Sequence, residues 1–298
     1  MLNRWIGIVS GCLMILAVAA VFWRDVLPGW LIGDPPPTEI DLLAPGEKRQ
    51  AQVGIYDSAG RAVGTSWTVS SALGGGDIAL VTTTTVLGPL PLPGGVTTPR
   101  VCIQTEITYL AAASTVDQLK FHMYGLGMPI ELDCVALPTG DFPCAWKVGT
   151  EHGEITMDSR VPAALGDVIR PFDRLPDLYV GRRWRLKLLD PLAQMVPQLK
   201  QVGMTLEEPL IEVTGRERIE TPAGLVDAFV VQVENGGATA WVHPDGRVLR
   251  QEVNVPLLGQ LVLLDEPFDE EARLQAVRSV PGKPEAQRHD APQESDHP

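Results

Sequence analysis

Hydrophobic and polar positions alternate with a period of two through most of the chain from about residue 50 onward. Thr65, Trp67 and Val69 fall on one side, Ser66, Thr68 and Ser70 on the other. Val101, Ile103, Thr105, Ile107 and Tyr109 oppose Cys102, Gln104, Glu106 and Thr108. Leu119, Phe121 and Met123 oppose Lys120 and His122, and Ile130, Leu132 and Cys134 oppose Glu131 and Asp133. Trp184, Leu186 and Leu188 oppose Arg185 and Lys187, and Ile211 and Val213 oppose Glu212 and Thr214. Such alternation predicts antiparallel strands with one dry face and one wet face. Turn signals fall between the runs: Ser58-Ala59-Gly60, Thr221-Pro222-Ala223-Gly224, Asn235-Gly236-Gly237 and Pro244-Asp245-Gly246. The expected fold is all-β, a single large curved antiparallel sheet of half-barrel form with about eleven strands.

Two windows break the alternation. Residues 160–180 and 190–208 carry Pro and Gly inside apolar runs, which predicts short helices or loops. Their apolar side chains (Leu165, Val168, Ile169, Phe172 and Leu175; Leu192, Met195, Val196, Leu199 and Met204) suit segments that cover a sheet. A sheet with one apolar face must bury it by rolling, stacking or cover. An incomplete cover leaves a greasy pocket, whereas a complete one plugs the core.

The amino terminus is of another kind. Trp5–Trp23 holds no charged residue and is bracketed by Arg4 and Arg24. At ~1.5 Å per helical residue, such a run just crosses a hydrocarbon core of ~30 Å. Three readings stand. An uncleaved signal anchor comes first, since apolarity continues through Val21, Phe22 and Trp23. A signal peptide cleaved after Ala17-Val18-Ala19 is the second, and a lipoprotein signal at Val9-Ser10-Gly11-Cys12 the third. Arg4 before the run, with Asp25, Asp34, Glu39 and Asp41 after it, predicts a cytoplasmic amino terminus and an extracytoplasmic (periplasmic) body. The expected organisation is a transmembrane anchor at 1–25, a Pro-rich linker at 26–46, a β domain at 47–268 and a disordered tail at 269–298 that opens with a possible helical turn.

Charge narrows the partners. The formal net charge is -13, from 24 basic and 37 acidic residues, which argues against a nucleic-acid surface. The membrane met through residues 5–23, and a lipid or an envelope protein, are the expected partners. An exported setting permits disulfides. Cys134 and Cys144 flank a turn at Pro138-Thr139-Gly140-Asp141 and are the favoured pair, with three buried thiols as the alternative. There is no C-x-x-C, and the five histidines do not cluster with cysteines, so no metal or other cofactor is expected.

The last third carries a resemblance. Tyr179-Val180-Gly181-Arg182-Arg183-Trp184 is followed by Gly215-Arg216-Glu217-Arg218-Ile219-Glu220-Thr221-Pro222-Ala223-Gly224, then Asp227-Ala228. Trp241-Val242-His243-Pro244-Asp245-Gly246-Arg247-Val248-Leu249-Arg250 comes next. Over residues 175–255 this resembles exported bacterial domains of uncharacterised role that are similar to the lipoprotein-carrier (LolA/LolB-like) half-barrel fold. The resemblance implies a curved antiparallel sheet with an apolar concave face. It brings no catalytic residue, and the helix-like anchor departs from the soluble or lipid-anchored carriers.

Catalytic signatures are missing. The chain has no G-x-S-x-G elbow, H-E-x-x-H helix or Walker loop. Glu151-His152-Gly153-Glu154 and His243 read as turn residues, and no enzyme activity is expected. Arg182, Arg183, Arg185 and Lys187 are the densest basic group. They suit an acidic partner, a lipid headgroup or acidic neighbours on adjacent strands. The candidate site is therefore an apolar ligand face formed by Trp67, Phe121, Met123, Trp184, Leu186, Phe229 and Trp241. The expected function is non-catalytic binding of a lipid or other apolar ligand there. The alternative is a structural or interaction protein of the cell envelope with a plugged core.

Overall fold

The computed structural model describes residues 32–36, 43–73, 75–88, 100–110, 115–125, 129–158, 172, 174–185, 209–221, 224–255 and 259–278, with Met14 and Ala17. Fourteen strands form one open sheet. They are β1 (Lys48–Asp57), β2 (Ala62–Ala72), β3 (Ile78–Val86), β4 (Val101–Leu110), β5 (Thr115–Tyr124), β6 (Ile130–Val135), β7 (Asp141–Val148), β8 (Glu151–Asp158), β9 (Arg183–Arg185), β10 (Leu210–Thr221), β11 (Gly224–Val233), β12 (Ala238–Val242), β13 (Val248–Val255) and β14 (Gly259–Glu266). The spatial order is β8-β7-β6-β5-β4-β3-β2-β1-β14-β13-β12-β11-β10-β9. Every pairing is antiparallel. Two meanders thus meet where β1 joins β14. The count is fourteen where alternation predicted about eleven. Strands such as β3 (IALVTTTTV) and β14 (GQLVLLDE) run apolar and β-branched without a clean period, and β9 has only three residues.

Register carries one face across the whole sheet. On it, Ile155, Cys144, Cys134, Leu119, Ile107, Leu80, Ser70 and Arg49 stand opposite one another from β8 to β1. A second row on the same face runs Val101, Val86, Gly64, Ile55, Leu263, Gln251, Ala240, Val231 and Val213, from β4 to β10. The apolar members gather into two buried clusters. One spans β1, Val63 of β2 and β9–β14 with Phe172 and Leu175, and the other spans β3–β8. Between them lies a strip of hydroxyls. Ser66, Thr68 and Ser70 of β2 are buried on this inner face, with Ser66 Oγ and Thr84 Oγ1 2.7 Å apart.

That strip corrects the reading of β2. The serines and Thr68, predicted wet, face inward, and Trp67 faces outward. Small hydroxyls pair across neighbouring strands and so tolerate burial. Trp67 is nonetheless only 4% exposed. Its indole N–H donates to Gln52 Oε1 at 2.8 Å, and the same oxygen accepts the Asp269 N–H at 2.8 Å. Asp269 opens helix α1 (Glu270–Arg278), which packs against β3. The Asp269 carboxylate caps α1 by accepting the Ala272 N–H at 2.9 Å, with Glu270 and Glu271 in the first turn and Arg278 in the last. The predicted tail therefore begins with nine residues of helix, and its remainder lies outside the described residues.

Elsewhere the outer face carries rows of charged residues. Glu106, Lys120 and Asp133 stand opposite one another across β4–β6, as do Glu131, Lys147 and His152 across β6–β8. Opposite charges that face one another, as in Glu106–Lys120–Asp133 and Glu131–Lys147, stabilise neighbouring strands on a wet face. His152 and its flanking glutamates belong to the edge strand β8, not to a turn. A Cβ at Gly153 would lie 2.8 Å from the Trp146 ring, so the glycine makes room for that indole on the inner face.

Among the described residues no helix is long and apolar enough to cross a membrane. The run Trp5–Trp23 lies outside them apart from Met14 and Ala17. Part of the predicted linker is docked instead of acting as a free spacer. Gly33 N–H donates to Arg183 O at 2.9 Å, Pro36 is buried, and Leu43 packs against the β3–β8 cluster.

Cys134 and Cys144 face each other across β6 and β7, with Cα atoms 4.0 Å apart, and form a buried disulfide. Cys102, outside that bond, is buried beside Tyr124 on the opposite face. The bridge closes a hairpin with a sequence separation of 10. By loop entropy, reduction should lower stability by roughly 2–3 kcal/mol. Denaturant melts with and without reductant measure this, and the Cys134→Ala/Cys144→Ala double variant should melt alike in both.

Candidate functional site

The inner face above β9–β14 is where the chain lays a strand-free segment over its own sheet. Phe172, Leu175 and Leu178 pack onto Trp184, Val213, Phe229, Val242, Val253 and Leu261. Each sheet residue reaches this face through strand parity, as Trp184 stands opposite Ile211 and Phe229 opposite Val242. The cover is also tied by polar bonds. Gln251, 2% exposed, donates from Nε2 to Phe172 O at 2.7 Å. Leu175 N–H donates to Gly246 O at 2.8 Å, and Gly181 N–H to Val213 O at 2.8 Å. Gly246 (φ 91°) lies so close that a Cβ there would stand 2.9 Å from Pro176. The Asp245-Gly246 turn is thus required by its own backbone and by the segment packed on it.

Arg182 joins three parts of the chain. Its guanidinium donates to Asp177 O at 2.9 Å in the cover and to Asp34 O at 3.2 Å in the amino-terminal segment. It also lies 5.9 Å from the Tyr179 ring centroid and 6.0 Å from that of Trp184. A planar fork serves such divergent acceptors where an ammonium would not. Asp177 has φ 56° and presents its carbonyl to this fork. Arg183 makes the acidic pairing expected of the basic group, meeting Glu212 at 2.7 Å.

The predicted ligand face divides. Phe121, Met123, Trp184 and Phe229 share the inner face and are all buried. They belong to separate clusters, Phe121 and Met123 under β3–β8 and Trp184 and Phe229 under β9–β14. Arg216 further closes the Phe229 ring at 4.3 Å. Trp67 and Trp241 stand on the outer face, because each follows a residue whose partners point inward. The Trp241 indole donates to Glu217 Oε2 at 2.8 Å, beneath the Arg250 guanidinium at 5.1 Å. Leu186 lies outside the described residues, as do Leu165, Val168 and Ile169 of the first covering window and all five apolar residues named in the second.

A half-open groove of about 390 Å³ occupies the outer face instead, lined by residues that include Arg183, Glu212, Thr214, Gln232 and Thr239. Its lining is mixed, with the Arg183–Glu212 pair at one wall and Leu210 and Val233 among the lining side chains. Gln251, missing from the predicted site, is the notable polar group of the inner face. Among the described residues its Oε1 has no hydrogen-bond partner. Its place in Leu249-Arg250-Gln251-Glu252 gives no sign of burial, so no sequence signal marks it.

The histidines do not converge. His152 lies on edge strand β8, and His243 stands at the β12–β13 turn. His243 Nδ1 is 2.8 Å from Asp245 Oδ1, and the Asp245 carboxylate also accepts the Arg247 N–H and Nε at 2.9 Å. Burial opposes ionisation of Asp245, but these donors prevail and hold its pKa down to about 2. Tyr124 is shifted the other way, to about 12, by burial and then by the negative charge of Glu131. Both groups keep one protonation state near neutral pH. No cluster of metal-ligating side chains occurs among the described residues.

No family model matches the sequence, and no curated protein matches it. Among solved structures, the chain is similar to a beta-barrel-like protein of Domain of Unknown Function DUF1849 from Brucella abortus. The likeness covers 74% of this chain and 97% of that one, at 7% identity and a TM-score of 0.40.

Two outcomes follow. The ordinary carboxyl value of 3.8 exceeds the folded value of Asp245, so its contribution is present above about pH 4 and is lost as pH falls toward 2. Asp245→Asn should flatten the acid limb of stability against pH in that window. Arg182→Lys, which keeps the charge but loses the fork, should raise amide exchange in both Asp34–Pro36 and Phe172–Gly181. Unchanged exchange in the two segments would show that the fork does not couple them.

Proposed function

We propose that this protein is a non-catalytic, membrane-tethered extracytoplasmic β domain that acts as a structural or interaction component of a cell envelope. The supporting observation is that its inner apolar face is filled by its own side chains. Phe121, Met123, Trp184 and Phe229 are all buried without a ligand. Among the described residues, a half-open groove of mixed lining lies on the opposite face. A ligand pocket ordinarily encloses most of its ligand, and this groove is half-open with charged residues in its lining. The Cys134–Cys144 disulfide agrees with an oxidising compartment.

A second reading keeps the inner face for a lipid or other apolar ligand. Gln251 favours it. Its amide oxygen is an open acceptor beneath Phe172, in an otherwise apolar cluster. A ligand with a hydroxyl head and an apolar body would satisfy that oxygen while displacing Phe172 and Leu175. The sequence resemblance of residues 175–255 to lipoprotein-carrier-like domains is the other ground for this reading.

The two readings part experimentally. Photo-cross-linkers placed at Thr239 in the outer groove and at Glu154 on β8 of the full chain in cells should yield a discrete protein adduct. Absence of any adduct at either position overturns the interaction reading. Mass spectrometry of the purified chain after detergent exchange should then show no stoichiometric apolar species. A lipid retained at one per chain, and lost in Gln251→Leu, would establish the second reading instead.

A further inference from the structure

We propose that the loop Asp177–Arg182 is a bilayer-facing surface that takes phosphate-bearing lipid headgroups with Arg182 and seats Tyr179 and Val180 in the membrane interface. This deepens the proposed tethering and rests on the reading of Trp5–Trp23 as the anchor.

The first observation is where the tether is fastened. Gly33 N–H bonds Arg183 O at 2.9 Å, and Arg182 bonds Asp34 O at 3.2 Å. Nine residues separate Trp23 from Gly33. At ~3.3–3.6 Å per residue, that chain reaches at most about 35 Å. On the anchor reading, the β9 edge lies within that reach of the bilayer, and β8 stands at the other end of the strand order.

The second observation is what this edge exposes. Tyr179 is 62% exposed and Val180 54%, side by side in a turn closed by the Arg182 N–H on Tyr179 O at 3.1 Å. Tyrosine suits the headgroup layer because its ring is apolar and its hydroxyl is wet. The third observation is charge. The described contacts of the Arg182 guanidinium are two carbonyl oxygens and two aromatic rings, and no carboxylate of the described residues meets it. In a chain of net charge -13, a guanidinium left unneutralised beside an exposed aromatic fits a phosphate surface.

The test uses the full chain in nanodiscs of neutral lipid or of the same lipid mixed with anionic phosphatidylglycerol. Fluorophores are placed through Val180→Cys or Glu154→Cys, with the unsubstituted chain as the background for native cysteines. Headgroup nitroxide lipids should quench the label at 180 at least three-fold more than the label at 154. Anionic lipid should increase the quenching at 180, and Tyr179→Ser should reduce it without changing the melting curve. Equal quenching at 180 and 154, or no difference between lipid compositions, overturns the proposal. Failure of the chain to remain with the discs at all overturns the tether reading, and the proposal with it. Retention in the discs without local quenching sinks the headgroup surface alone.

Discussion

The rest of this structure depends on keeping one face dry across a fourteen-stranded ladder whose register shifts in four pairings, at Ile55/Tyr56, Thr108/Tyr109, Val213/Gly215 and Trp241/Val242. Each antiparallel pairing fixes which side chains share a face, and a slip of one residue would reverse the whole strand. The register avoids this from Ile155 on β8 to Trp184 on β9. So wide a single layer presents a large apolar surface, and among the described residues no second sheet meets it. Two clusters separated by the Ser66–Thr84 hydroxyl strip bury it. The strip keeps its polar atoms satisfied by pairing across β2 and β3, so the inner face need not be apolar throughout.

Cover and anchorage converge at one corner of the sheet. Phe172 and Leu175 seal the β9–β14 cluster, and Arg182 ties that seal to the amino-terminal segment. The Asp245-Gly246 turn supports the same segment from the other side. A disturbance of the amino-terminal segment therefore bears first on the cover and only then on the sheet. This coupling gives the two functional readings a shared physical basis, since a ligand under Phe172 and a partner at the β9 edge would both act on the same contacts.

The outer face is built for a different purpose. Ladders of alternating charge run over β4–β8, and the Trp241–Glu217–Arg250 group covers part of β10–β13. Helix α1 shelters Trp67, which would otherwise lie bare on that side. These features keep the charged side chains of the outer face in water or paired with one another.

Local sequence determined what depends on near neighbours. The period of two marked the antiparallel strands, and Phe121, Met123, Trp184 and Phe229 share a face because parity survives any curvature of the sheet. Cys134 and Cys144 were legible as a pair because a turn between them brings facing positions together. Parity does not say which face is inside. For β2 that was decided by Val53 and Ile55 on the neighbouring strand and by α1 on the other side, so Trp67 faces outward and Ser66 inward. The burial of Gln251 and the fork of Arg182 were set the same way. Their contacts join positions as far as 148 residues apart in the chain, and only the completed sheet brings such groups within reach.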